Sequence, residues 1–426
     1  MNRLSGFLLT GAFATMTFAA DLLPTADAAR AAISALPTVM AAAARVDSSR
    51  ARAESLQHGP YEFQLSAGPG MRHERMGRTY DEWQAGVSRT WRLPRKAKLD
   101  AAIGAGDIAT AEFAMEDARH AGARDLATTW FAWLRGSTAV ALTNTQLETM
   151  EALRRVTARR VALGDAARLD LERADAVVAQ LESTREARVL AREEARIALA
   201  EQFPRIPVPN TAPEIPTPDA PPDDEVTLAQ TIVTRSHEIA LARALASQHR
   251  LAAARSDANR TPDPTLGLQL ADEMDHDEQT VSLVFSIPLA GRGRDANARA
   301  DAAAASAAEA EAAGVQRSVE TAARQLARTV SRRHRAWRAA AHALAATRAA
   351  AGRVERAWQL GEIGFGELSL TRRELQEAEH TELTARLAAH EALVRLEIDR
   401  HQLWAFHLDA VPDAADPSSG DEHAHP

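Results

Sequence analysis

The sequence predicts a mostly α-helical chain with a small membrane β part, written twice and completed by copies of itself. Three observations predict it. Hydrophobic residues make up 46% of the 426 but aromatic residues only 4%, and long stretches dominated by Ala, Arg, Glu and Leu suit long helices packed through small side chains. The segment Arg159-x-x-x-Leu163-Gly164-Asp165 with Asp170-Leu171 recurs as Arg356-x-x-x-Leu360-Gly361-Glu362 with Glu367-Leu368, at a constant offset of 197 residues. Four short stretches of alternating character, two in each half, interrupt the helical pattern.

Taken in order, the chain opens with Arg3, the mostly apolar run Phe7 to Ala20, and small residues Thr17 and Ala19 just ahead of Asp21. That is the pattern of an export signal over residues 1–20. The run is too short for a transmembrane helix, which takes about 20 apolar residues. With no Cys anywhere, neither disulfides nor a lipidated N-terminal cysteine are expected. A membrane-held product then has to be held by its own strands.

The first repeat is expected over residues 21–203 and the second over 223–409. Between them residues 204–222 hold eight prolines, which cannot be helix and predict an extended linker. Residues 410–426 are expected to be a disordered C-terminal tail. Each repeat opens with a helix, Ala28 to Leu56 and then Leu228 to Ser256. Two strands follow in each. Tyr61, Phe63 and Leu65 alternate with Glu62, Gln64 and Ser66, and Leu266, Leu268 and Leu270 mark the matching strand. The partners are Trp83 to Leu93 and Val281 to Leu289, reached through loops Gly68 to Tyr80 and Asp272 to Glu278. Tyr61, Tyr80, Trp83 and Trp91 supply the aromatic girdle that a membrane strand region requires.

Long helices come next, roughly Ala97 to Leu163 and Arg294 to Leu360, each reaching on the order of 100 Å. Each turns at a Gly-containing tip and returns, as Leu169 to Phe203 and Glu367 to Phe406. The steps of Leu171, Ala174, Val178 and Leu181 and of Leu383, Leu387, Val394 and Ile398 are coiled-coil seams. Gly164 supplies an ordinary helix stop, whereas Gly361, Gly364 and Gly366 predict a looser second tip.

Four strands cannot close a membrane barrel, because the smallest have about eight and an open edge in lipid leaves backbone groups unpaired. Three copies give twelve strands and a closed cylinder wide enough for a lumen. The alternative that stays open is one water-exposed antiparallel sheet capping a helical bundle in a single subunit.

The formal net charge of −8 is spread over charges of both signs with no basic block, so no nucleic-acid partner is expected. Enzyme chemistry finds no constellation. There is no phosphate-binding Gly-x4-Gly-Lys loop, no Gly-x-Ser-x-Gly elbow, and His73-Glu74 and His390-Glu391 lack the second His of a zinc peptidase. Asp275-His276-Asp277 and the terminal Asp421-Glu422-His423-Ala424-His425 could touch a metal loosely, but no three or four ligands have site spacing. No cofactor is implied.

The twofold helix, strand pair and long hairpin, the tip signature Gly164-x5-Asp170-Leu171 with its copy Gly361-x5-Glu367-Leu368, and the strand exit Ile287-Pro288-Leu289-x-Gly291 resemble the TolC-like outer membrane efflux proteins. The Trp91 to Lys96 stretch, Trp-Arg-Leu-Pro-Arg-Lys, resembles the heavy-metal branch of the CzcC type. The resemblance implies a homotrimer in outer-membrane lipid, with a twelve-stranded barrel continued by a long periplasmic α-helical barrel and most of the chain in the periplasm. It implies a passive exit duct whose tips meet a periplasmic adaptor and, through it, an inner-membrane pump of the resistance-nodulation-division type. Drug efflux, type I secretion and a periplasmic scaffold or adaptor are the alternatives. By matching positions, Gly164, Asp165, Gly361, Glu362, Gly364 and Gly366 belong to the docking turns, and Asp170 and Glu367 to an acidic constriction. An acid in the first turn of a returning helix also meets its N-terminal dipole favourably, so capping is a second reading of Asp170 and Glu367.

Overall fold

The computed structural model describes residues 22–75, 77–289 and 291–406. Its elements are α1 (Ala26–Ser34), α2 (Pro37–His58), β1 (Gln64–His73), β2 (Thr79–Thr90), α3 (Pro94–Ala162), α4 (Arg168–Gln202), α5 (Glu225–Thr234), α6 (His237–Ala258), β3 (Thr265–Glu273), β4 (Glu278–Ser286), α7 (Arg292–Gln359) and α8 (Phe365–Asp399). The expected export signal and the C-terminal tail lie outside the described residues.

At 69 and 68 residues, α3 and α7 each run on the order of 100 Å. Helix α3 pairs with α4, and α7 with α8, as two long hairpins, while α2 and α6 lie along α3 and α7. The four strands form one antiparallel sheet in the order β1-β2-β3-β4.

Several expected boundaries are corrected. The opening helix of the first half is two helices, because Pro37 starts α2 at its first position and cannot continue α1. Its counterpart is also two, and Ser236 restarts the chain by accepting a hydrogen bond from the Ile239 N–H. The strands β1 and β2 run past the expected loop limits to His73 and from Thr79, so the outer loop is far shorter than Gly68 to Tyr80. Strand β4 stops at Ser286, ahead of Pro288, which has no N–H for a ladder. Helix α8 ends at Asp399, and residues 400–406 fold back as a strap with left-handed turns at His401 and Trp404.

The largest core sits where that strap, the linker and the N-terminal segment meet the helices. Trp130, Phe131, Trp133 and Leu134 of α3 pack with Leu22, Ile33, Phe203, Ile206, Ile215, Leu387, Val394 and Ile398. The Pro-rich linker is tied down as well as inserted. Arg386 donates to the Ile215 carbonyl at 2.9 Å, and His390 lies 2.9 Å from the Pro216 carbonyl.

Candidate membrane sheet and hairpin tips

Antiparallel register decides which side chains share a face. Leu65, Val87, Leu268 and Leu283 are aligned across all four strands, and Ala67, Ala85, Leu270 and Val281 form the next row. Phe285 and Leu266 extend the same face. These are exposed: Leu65 is 84% accessible, Leu283 73% and Phe285 66%, far more apolar area than a soluble surface leaves uncovered in one patch. The opposite face is polar apart from Val284 and Ala271. It carries Gln64, Ser66, Ser88, Gly86, Gln84, Gln269 and Ser282, with the Gln269 amide donating to Gln84 at 3.1 Å. At its far end Arg72 bridges Glu82 and Glu273. Tyr80 pairs in register with Arg72, so it stands on this polar face and is not part of an outward girdle. Trp83 stands on the apolar one. Among the described residues, strands β1 and β4 each have a partner on one side only.

The two hairpin tips have the same turn. Gly164 (φ +83°) donates to Val161 and Asp165 to Arg160, while Gly361 (φ +81°) donates to Trp358 and Glu362 to Ala357. Both are helix stops closed by a left-handed glycine. The second tip is therefore no looser than the first: Gly364 is an extended N-cap and Gly366 lies inside α8. Asp170 and Glu367 occupy the first turns of α4 and α8. Asp170 is half-buried, with Arg173 at 3.8 Å; Glu367 is exposed and has no ion pair among the described residues. Asp165 and Glu362 are exposed.

The tips are joined by residues that the sequence reading passed over. Arg160 of the first hairpin donates to the Trp358 carbonyl at 3.1 Å and lies 5.3 Å from the centre of the Trp358 ring. Arg173 reaches the second tip too, since a Cβ on Gly366 would stand 3.0 Å from its Nη1. Beneath them Met150, Leu153, Ala174, Val178 and Leu181 pack against Trp358, Phe365 and Leu368. The available signal was a difference between the repeats. At the common offset Arg160 faces Ala357, Val161 faces Trp358, Arg168 faces Phe365 and Arg173 faces Leu370, so the copies diverge where they touch each other.

Three histidines meet beside the strap. The His401 ring lies 4.7 Å from that of His120 (α3) and 4.3 Å from that of His237 (α6), centre to centre. Burial, then the neighbouring His120 and His237, push the His401 imidazole down to about 3, and burial lowers His237 as well. Burial acts to raise Asp399, but bonds from His120 at 3.2 Å and Arg124 at 2.7 Å outweigh it and leave the carboxyl lowered. Among the described residues no group of three or more His, Asp or Glu is placed to hold a metal ion.

The sequence matches no family model and no curated protein sequence. Solved structures match over nearly the whole chain. The transmembrane channel CusC superposes with a TM-score of 0.71 at 14% identity, over 88% of this chain and 91% of that one. The Neisseria gonorrhoeae MtrE outer membrane channel in its open state gives 0.69 at 16% identity, covering 88% of each chain. The Campylobacter jejuni CmeC outer membrane channel gives 0.67 at 12%, over 88% and 84%.

The chain has the fold of these outer-membrane channels.

Within that fold the Trp91 to Lys96 stretch has a structural task. Lys96 is 2% exposed, and its ammonium lies 3.0 Å from Asp263, which also accepts from the Leu93 N–H at 3.0 Å and the Tyr61 hydroxyl at 2.9 Å. Burial opposes ionisation of Asp263, but those three donors outweigh it and hold the carboxyl below its ordinary range. Arg92 binds Asp100 at 2.8 Å and the Leu56 and Gln57 carbonyls, and Arg255 closes on Asp100 from α6. These buried pairs fix the sheet on the helices. No helix among the described residues is long and apolar enough to cross a membrane.

Proposed function

We propose that the chain is the outer-membrane channel subunit of a tripartite efflux system, a passive duct from periplasm to exterior that works as a homotrimer and not as an enzyme. One observation carries the reading: a four-stranded sheet apolar on one face, polar on the other and open at both edges. The apolar face suits lipid and the polar face a wet lumen, and the open edges demand neighbouring strands, which three copies supply. The fold shared with CusC, MtrE and CmeC supports it. The hairpin tips are then the contact for a periplasmic adaptor and an inner-membrane pump, with Gly164, Asp165, Gly361 and Glu362 in the turns and Asp170 and Glu367 at the constriction.

For the cargo we propose heavy-metal cations. The support is the resemblance at Trp91 to Lys96 together with the exposed carboxylates of Glu362 and Glu367 at the second tip, which attract cations. Detergent extraction of the outer-membrane fraction should yield a trimer that conducts ions in planar bilayers; a monomer recovered from the osmotic-shock fluid contradicts the channel. Cargo is tested separately, as a deletion strain should become more sensitive to divalent metals than to drugs.

A further inference from the structure

Arg89 is a cation in an apolar place. It lies in β2, an inner strand that no adjoining copy can cover by edge pairing, and register puts it on the lipid-side face beside Leu266 and, through Leu266, Phe285. Its guanidinium carbon stands 4.8 Å from the Phe63 ring centre and 5.3 Å from that of Trp91. Both rings are exposed. Among the described residues no carboxylate is paired with it. A charge held against apolar surface without a counter-ion is costly, and the two rings hold the guanidinium by its face while leaving its edge N–H groups free.

The level of Arg89 is informative. It is the last turn of the pleat before α3, where a sheet embedded in lipid meets the headgroups of the periplasmic leaflet. The helices that begin here also carry basic residues, although the first turn of α7 holds Asp295, which is bound to Arg260. Helix α3 opens Pro94-Arg95-Lys96-Ala97-Lys98 with no acid in its first turn, against the preference of a helix N-terminus for negative charge. Lys96 is neutralised by Asp263, but Lys98 of α3 and Arg292 of α7 are exposed and unpaired among the described residues.

We propose that Arg89, clasped by Phe63 and Trp91, is a seat for the phosphate of an anionic glycerophospholipid of the periplasmic leaflet, with Lys98 and Arg292 supplying further positive potential from the first turns of α3 and α7. The proposal rests on the channel reading, because only a lipid-embedded sheet brings that phosphate to Arg89. Guanidinium and phosphate match as a fork on two oxygens, and each basic residue near an anionic surface adds roughly fivefold to binding.

The test is native mass spectrometry of the full detergent-solubilised chain, titrated with dioleoyl phosphatidylglycerol, dioleoylglycerol or inorganic phosphate. The wild-type chain should retain the phosphatidylglycerol and neither of the others. Arg89→Gln should lower its occupancy about fivefold, with most of it kept in Arg89→Lys. A second variant, Lys98→Gln with Arg292→Gln, changes exposed side chains only and should also lower occupancy. Unchanged occupancy in Arg89→Gln, or equal retention of dioleoylglycerol or inorganic phosphate, overturns the proposal. Should Arg89→Gln not fold, unchanged occupancy in the double variant overturns it instead. Failure of the channel reading looks different: the wild-type chain would then need no detergent at all.

Discussion

Arg160 and Arg173 cross from one hairpin to the other, and each is matched in the second repeat by a residue that cannot cross back. An arginine bonded to a carbonyl and stacked on an indole contributes about 2 kcal/mol at a partly buried site. Arg160→Ala should therefore raise the population of separated tips more than tenfold, read as increased resting conductance of single channels in planar bilayers. The yield of the proposed trimer should not change, because the contact lies within one subunit; unaltered conductance would remove Arg160 from the closing contact. The acids behave differently. Among the described residues Glu367 has no ion-pair partner, whereas Asp170 has Arg173 at 3.8 Å, so in the proposed channel Glu367→Ala should reduce preference for cations over anions more than Asp170→Ala does, as measured by reversal potentials in a salt gradient. Equal and unchanged selectivity in both would leave only the helix-capping role.

Between residue and molecule, the element that needs most support is the sheet, which sits on the helices through few covalent links. The Lys96–Asp263 pair provides that support, joining the start of α3 to the turn before β3 with both side chains buried. Removing one partner of a buried pair leaves an uncompensated charge and costs about 3 to 5 kcal/mol. Lys96→Met should accordingly lower the urea midpoint of the detergent-extracted protein, while Lys96→Met with Asp263→Asn should recover much of the loss; a single variant as stable as the wild type would show the pair to be incidental. Nothing in the sequence announced this pair. Periodicity and glycine stops are local, so the long helices, the alternating strands and the tip turns could be read from runs of a few residues. Lys96 and Asp263 lie far apart in the chain, as do Arg160 and Trp358, and their meeting depends on how the two repeats dock. Tyr80 was misplaced for a related reason: a girdle counted by composition ignores register, and a shift of one residue exchanges the faces of a strand. The extra helix breaks at Pro37 and Ser236 were local signals, overridden in the reading by the long apolar periodicity around them.

At the scale of the whole molecule, the strap at residues 400–406 closes the largest core beside His120, His237 and His401, which makes stability depend on pH with a defined sign. His401 titrates at 6.5 when unfolded and at about 3 in the fold. Above pH 6.5 both states are neutral there and the full stability is present. As pH falls below 6.5 the unfolded chain takes up a proton that the folded chain refuses, so stability is lost progressively toward pH 3; His237, also lowered, acts in the same direction. Asp399 is lowered from 3.8, so its contribution is constant above that value and falls only in stronger acid. Glu116, Asp117 and Glu397 are raised, chiefly by burial, and acidification relieves them, which works against the histidines. The sum is therefore less informative than a difference. Between pH 7.5 and 5 the thermal midpoint of the wild type should fall more steeply than that of His401→Gln, by a few degrees at the acid end, since only the variant lacks the refused proton while keeping every opposing carboxyl. Parallel curves over that interval would mean that the imidazole of His401 meets water in the folded protein, and that the strap does not seal the core against protons.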